Sequence, residues 1–201
     1  MRYPHYGGAC VNSTGLVIVA AGQGRRLGLG PKALVILNGE TLLERVVEQA
    51  RSAAFARIVA VLPPGVGCPA EDLQTAVNTE PASASLGSVV TGLRALEARG
   101  VISDLVVWPV DHPWVQAEQL LELERAARQA HDGIARVVPV WQGRRGHPIW
   151  IRPAGVERIR SVDSALTSTL REVLAEAGDV LEIGARDGAV LRNLNHPGDL
   201  S

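Results

Sequence analysis

The chain has 201 residues, 46% of them hydrophobic, and its 20 basic and 21 acidic residues leave a net charge of −1. That length and apolar content suit one domain with a full core and fall short of two independent ones. The even charge balance excludes the clustered basic excess of a nucleic-acid surface, and no apolar run approaches a membrane span, so neither partner is expected.

Residues 1–14 lack the charged and apolar regions of a signal peptide and read as a poorly ordered tail ahead of a domain over 15–201. Cys10 in that tail and Cys68 in a Pro/Gly loop have no metal-type spacing, which predicts a reducing, cytoplasmic setting without a disulfide framework. The first strand is expected over 16–21. A helix follows over 40–54, with Leu42, Leu43, Val46, Val47 and Ala50 at helical spacing, and Thr41 and Glu44 form a capping box at its start. A second strand over 57–62 is stopped by Pro63-Pro64-Gly65, and a helix over 84–99 carries Leu86, Val89, Val90, Leu93 and Leu96 on one face. The near-continuous Val/Leu run of 104–110 predicts a strand buried on both faces. A long helix over 115–130, a strand over 134–141, an irregular patch over 143–148 and a helix over 167–177 come next. Short strands around 180–183 and 190–193 close the chain. This alternation predicts an α/β fold: a single-domain, Rossmann-like three-layer sandwich with a mostly parallel sheet.

The most informative stretch begins where the first strand stops: Val19-Ala20-Ala21-Gly22-Gln23-Gly24-Arg25-Arg26-Leu27-Gly28, then Gly30-Pro31-Lys32. Glycines let backbone amides approach phosphate oxygens, and Arg25, Arg26 and Lys32 add positive charge around the same loop. It is not a P-loop, because no Gly-Lys-Ser/Thr ending follows at the required spacing. Gly22, Gly24 and Gly28 are also spaced one residue too widely for a dinucleotide fingerprint, and Gly28, Gly30 and Pro31 would break the helix such a fingerprint must open.

In open parallel sheets ligands bind at the carboxyl ends of the strands, beside the switch point. Asp111 ends the buried strand there, as part of Asp111-His112-Pro113. It can serve as a hard oxygen ligand for Mg²⁺ facing the phosphates, as the cap of a helix beginning near Trp114, or as both. Ser83, Ser85 and Ser88 at the entry of the second helix can bond a base or ribose or cap that helix; Asn78 precedes them. Arg144-Arg145-Gly146-His147-Pro148 forms a basic turn in which His147 either meets an anionic acceptor or is structural. Asn193-Leu194-Asn195-His196-Pro197-Gly198-Asp199 is a polar turn that can close the site or simply end the chain.

Together these segments resemble the MobA-like NTP transferases, whose pattern is L-A-A-G-x-[SG]-x-R-x-G-(x)-P-K-x-L, a D-x-P at a central strand end, and a C-terminal D/N-x-D/N-T-P-x-D. The likeness covers nearly the whole chain beyond the tail, in the right order. It implies a fold of the nucleotide-diphospho-sugar transferase type and a Mg²⁺-dependent nucleotidyl transfer from an NTP to a phosphorylated small-molecule acceptor of the molybdopterin type. A transient contact with a molybdoenzyme is implied as well. By the same resemblance Ala20, Ala21, Gly22, Gln23, Gly24 and Arg25 hold the nucleotide, with Asn78, Ser85 and Ser88 facing it. Arg26 and Lys32 neutralise the phosphates, Asp111 and Asn195 hold the metal, and His112, Arg145, Gly146 and His147 contact the acceptor. Ala20-Ala21-Gly22 and Gly146-His147-Pro148 look like the cytidylyl branch, which implies CTP. Asn195 and His196 depart from that branch, which carries an aspartate and a threonine there. Guanylyl transfer, a sugar- or polyol-phosphate acceptor, and a non-catalytic nucleotide or cofactor carrier are the other readings.

Overall fold

The computed structural model describes residues 13–22, 24, 28–79, 84–162 and 168–200. Residues 1–12 of the expected N-terminal tail, with Cys10, lie outside the described residues; at its end Thr14 already belongs to the first strand, paired with Asp104. In chain order the elements are β1 (Thr14–Val19), β2 (Ile36–Leu37), β3 (Glu40–Thr41), α1 (Leu42–Ser52), β4 (Ile58–Leu62), β5 (Gln74–Val77), α2 (Ala84–Glu97), β6 (Asp104–Pro109) and α3 (Ala117–Gln129). They continue with β7 (Ile134–Trp141), β8 (Arg144–Arg145), β9 (Ile149–Ile151), α4 (Pro153–Arg160), α5 (Leu170–Ala175) and β10 (Asp179–Gly184).

The main sheet runs β10-β7-β9-β6-β1-β4-β5, with β8 paired on β7. The chain leaves β1 through α1 to β4 on one side and later returns through α2 to β6 on the other. The order therefore reverses at β1, and its crevice lies between the carboxyl ends of β1 and β6. Most pairings are parallel; β9 runs antiparallel to both β6 and β7. The reason is the short connection after β7. A parallel return needs a crossover of a dozen residues or more, so the strand that follows the 142–148 turn must double back.

Alternation along the strands builds two cores. Leu16, Ile18, Ala60, Val106 and Trp108 pack under α1 and α3, whereas Val17, Val59, Val61, Leu105 and Val107 pack under α2, α4 and α5. The three-layer sandwich expected from the sequence is thus present. So is the capping box of α1: Thr41 Oγ1 accepts from the Glu44 amide at 3.2 Å, and Glu44 Oε2 accepts from the Thr41 amide at 2.8 Å.

Two elements differ from the sequence expectation, and with one of them the role of Asp111. Residues 190–193 form no strand; a 3-10 turn spans Gly188–Val190, started by Asp187, whose carboxylate accepts from the Ala189 amide at 2.8 Å. Arg192 then lies over the Trp114 ring at 3.9 Å, which commits this segment to packing on the loop after β6. The helix expected from 115 begins at Ala117, whose amide donates to Gln49 Oε1 of α1 at 3.0 Å. Asp111 is therefore no helix cap. No helix among the described residues is long and apolar enough to cross a membrane.

Candidate active site

The loop after β1 folds back on itself. The Gly28 amide donates to the Gly24 carbonyl at 3.1 Å and the Lys32 amide to the Gly22 carbonyl at 3.2 Å. Gly24 is required here twice over: its φ is +59°, and a Cβ would stand 2.0 Å from the Gly30 carbonyl oxygen. Ala20 is fully buried and ties the loop to the sheet, its amide donating to the Val61 carbonyl at 3.0 Å; Ala21 is half-buried beside it. Gln23, Arg25 and Arg26 lie outside the described residues.

The closed loop delivers Lys32 to the crevice. Its Nζ donates to Asp111 Oδ2 at 2.6 Å and to Asn195 Oδ1 at 2.7 Å. Three remote segments meet at this point: the glycine loop, the end of β6 and the C-terminal turn. The backbone fixes the meeting, because the Leu194 amide donates to the Asp111 carbonyl at 2.8 Å and Leu194 is fully buried. Asp199 braces the turn from behind, its Oδ2 accepting from the amides of Asn195 at 2.9 Å and His196 at 2.8 Å. Those two amides hold its carboxyl below the usual aspartate range.

Two hard oxygens, one carboxylate and one carboxamide, thus converge on a single cation. Among the described residues no group of three or more His, Cys, Asp and Glu is placed to hold a metal. A donor set this sparse fits Mg²⁺, which keeps several waters and is completed by substrate phosphates rather than caged by protein.

On the β7 side of Asp111 lies a buried histidine pair. The rings of His112 and His147 are 5.0 Å apart, and Nδ1 of each is buried without a hydrogen-bond partner. Burial, with the neighbouring His112 imidazole, pushes His147 down to about 4; burial also lowers His112, against the opposing pull of Asp111. Both rings are therefore neutral at pH 7. Gly146 sets their position: its amide donates to the Pro139 carbonyl at 2.8 Å, and a Cβ would stand 2.4 Å from the Val190 carbonyl oxygen. The next amide, of His147, donates to that same oxygen at 2.9 Å.

His147 faces a cleft of about 890 Å³ that starts between the ends of β1 and β6, at Val19 and Pro109, and extends along the sheet to α5. His112 is buried behind it and is not part of the cleft wall. Arg145 is at the rim, paired with Glu182 at 2.6 Å. Asn78 and Ser88, expected to face the nucleotide, meet each other: Asn78 Nδ2 donates to Ser88 Oγ at 3.0 Å, both are buried, and the bond braces the end of β5 on α2. Ser85 belongs to the first turn of α2, and its side chain lies outside the described residues. Sequence reasoning missed two cleft residues, Arg136 on β7 and Arg171 on α5. The available signal was a lone arginine inside an otherwise apolar strand.

Residues 16–180 match the family model described as the MobA-like NTP transferase domain. Among curated proteins, the bifunctional protein GlmU of Ralstonia nicotianae is 36% identical over 133 residues, covering 61% of this chain and 27% of that protein. The 2-C-methyl-D-erythritol 4-phosphate cytidylyltransferase of Deinococcus radiodurans is 50% identical over 58 residues, covering 28% of this chain and 24% of that protein. The matches thus span about a quarter of the length of these curated relatives. The molybdopterin-guanine dinucleotide biosynthesis protein A of Archaeoglobus fulgidus superposes with a TM-score of 0.64 at 19% identity, covering 92% of this chain and 94% of that one.

Proposed function

The chain belongs to the MobA-like NTP transferase family, and from that premise we propose that it transfers a nucleoside monophosphate from an NTP, CTP by preference, to a phosphorylated acceptor of the molybdopterin type. An oxygen of the acceptor phosphate attacks the α-phosphorus, the bond from the α-phosphorus to the bridging oxygen breaks, and pyrophosphate leaves. The observation that carries this reading is the convergence of Lys32, Asp111 and Asn195 at the switch point. Positioning and charge stabilisation supply most of the catalysis in such reactions, and these residues are placed to do both.

In this reading the backbone amides of Gly22 and Gly24 would cradle the phosphates. Arg25 and Arg26 are assigned to the phosphates by sequence likeness. Asp111 and Asn195 would hold Mg²⁺, which when bound polarises the phosphoryl oxygens. Lys32 keeps a flexible four-carbon stem beside Gly22, so its ammonium can turn from the two oxygens toward the phosphates. His147, neutral and desolvated with His112 packed behind it, orients the acceptor rather than adding charge to it. Cytosine is favoured by Ala20-Ala21-Gly22, by Gly146-His147-Pro148 and by the cytidylyltransferase likeness. A cytoplasmic location and a transient handover to a molybdoenzyme follow from the same acceptor. The guanylyl alternative draws on the Archaeoglobus neighbour. A mere carrier would have no use for a carboxylate facing phosphates, since the two repel unless a cation stands between them.

The test is pyrophosphate release from CTP, GTP, ATP and UTP with Mg²⁺ and either molybdopterin or 2-C-methyl-D-erythritol 4-phosphate. Release that needs Mg²⁺, CTP and molybdopterin together is the expected result. Release only with the erythritol phosphate would reassign the acceptor, and release from no combination would overturn the reading.

A further inference from the structure

Arg136 is an anomaly of the sheet. It sits third in β7, between β9 and β10, in register with Ile151 on one side and Val180 on the other. Its neighbours on the strand are core residues: Ala135 and Val137 are fully buried and Val138 nearly so. Its Nη1 is buried and has no hydrogen-bond partner. A buried guanidinium nitrogen left unsatisfied is costly, so a strand position that keeps one calls for an explanation.

The cleft supplies it. Half-buried Arg136 lines the cleft together with the exposed Arg171 of α5 and with Arg144 and Arg145; Glu182 is the one carboxylate among the lining residues. Glu182 is already engaged by Arg145 Nε at 2.6 Å. The Arg136 and Arg171 part of the wall therefore carries positive charge without a lining carboxylate to match it, and guanidinium groups pair readily with oxyanions.

Register places this charge far from the transfer point. Arg136 pairs with Ile151, and Ile151 pairs with Leu105 of β6. Asp111 lies six positions beyond Leu105, so the strand rise puts the two levels on the order of 15–20 Å apart. The Arg136 stem closes part of that span and not all of it. A phosphate attacking beside Asp111 cannot also be the group at Arg136. We infer that Arg136 and Arg171 form a second anion subsite, which holds an oxyanion at the far end of an elongated acceptor whose attacking phosphate lies near Asp111. This inference rests on the transfer reading for the identity of the ligand; the anion subsite itself does not. The cleft volume of about 890 Å³ is large enough for such a molecule.

The experiment titrates inorganic phosphate, and acetate in parallel, into Lys32→Met protein, in which the loop cation that meets Asp111 is removed. Thermal shift and ³¹P line broadening read the binding. The same titrations are run on Lys32→Met/Arg136→Met and Lys32→Met/Arg136→Lys. Expected is saturable anion binding that weakens at least tenfold with Met at 136 and is partly restored by Lys. Arg136→Met should unfold no earlier than its parent without anion, because it removes an unsatisfied group. A response to phosphate only assigns the subsite to a phosphate, and one to acetate as well assigns it to carboxylates too. Anion binding unchanged by Arg136→Met, or absent from the parent, would overturn the subsite. Mg²⁺-CTP binding, measured on the wild-type chain and on Arg136→Met, is the separate reading. Its absence from the wild-type chain would sink the transfer reading and leave the anion result standing.

Discussion

Lys32 and Asp111, 79 positions apart in the chain, meet at 2.6 Å where the first loop crosses the end of β6. Their side chains are 16% and 21% exposed, so the contact is largely shielded from water, and Asn195 completes it. The pair joins the two halves of the sheet that part at β1. It also sets two groups of opposite charge at the place where a triphosphate and its counter-ion would need them.

Because both residues act at one point, their effects should not add. Lys32→Met and Asp111→Asn should each lower turnover about 10²–10³-fold, with the double variant little worse than either. Unfolding temperature should fall by no more than a few degrees, about 1 kcal/mol, because neither side chain is fully buried. Steady-state kinetics of the double-variant cycle beside thermal melts check this.

Asn195→Asp adds a second negative charge to the oxygens that converge on the Lys32 ammonium. Cation affinity rises with ligand charge, so the Mg²⁺ concentration for half-maximal activity should drop roughly several-fold. A Mg²⁺ titration at fixed CTP reads it. Inactivity of Asn195→Asp at every Mg²⁺ concentration would remove Asn195 from the metal.

His147 is held neutral by burial, with its value pushed down to about 4. In the unfolded chain it takes a proton near its ordinary value of 6.5. Its contribution is unchanged above pH 6.5. Below it the unfolded state binds the extra proton, and stability is lost progressively toward pH 4, by up to about 3 kcal/mol. The melting temperature of the wild-type chain should therefore fall between pH 7 and pH 4.5, and that of His147→Gln should fall less. Parallel slopes for the two would contradict this account of the buried pair.

Gly146→Ala places a Cβ 2.4 Å from a backbone oxygen, at Val190, which has no flexible end to give way. The turn must shift, at about 1–3 kcal/mol, or a loss of roughly 2–12 °C in melting temperature. His147 moves with it, so acceptor KM should rise more than CTP KM. Melts and two-substrate kinetics separate the two effects.

Much of this was legible in the sequence because periodicity reports burial. The Val/Leu run of β6 and the capping box at Thr41 follow from local chemistry, and the strand over 134–141 has the bounds the sequence suggested. β5 was hidden, since an edge strand with half-exposed residues, Gln74-Thr75-Ala76-Val77, carries little apolar signal. α4 was hidden by Pro153 and Gly155, although Pro at the first helical position is itself a start signal. The strand expected over 190–193 failed for a tertiary reason: Arg192 on Trp114 and Leu194 beneath Asp111 take the chain elsewhere. At the site, Asp111 and Lys32 were found through their places in motifs. Their contact, the pairing of Asn78 with Ser88, and the unpartnered Nη1 of Arg136 are products of register, which no local pattern encodes.

The most direct test of the account is calorimetric titration of CTP, with GTP, ATP and UTP as comparisons, with and without Mg²⁺, into the wild-type chain and Asp111→Asn. The account predicts Mg²⁺-dependent binding, tightest for CTP, that weakens at least tenfold in a still-folded Asp111→Asn, about 1.4 kcal/mol or more. CTP binding that ignores both Mg²⁺ and the loss of the Asp111 charge would contradict it.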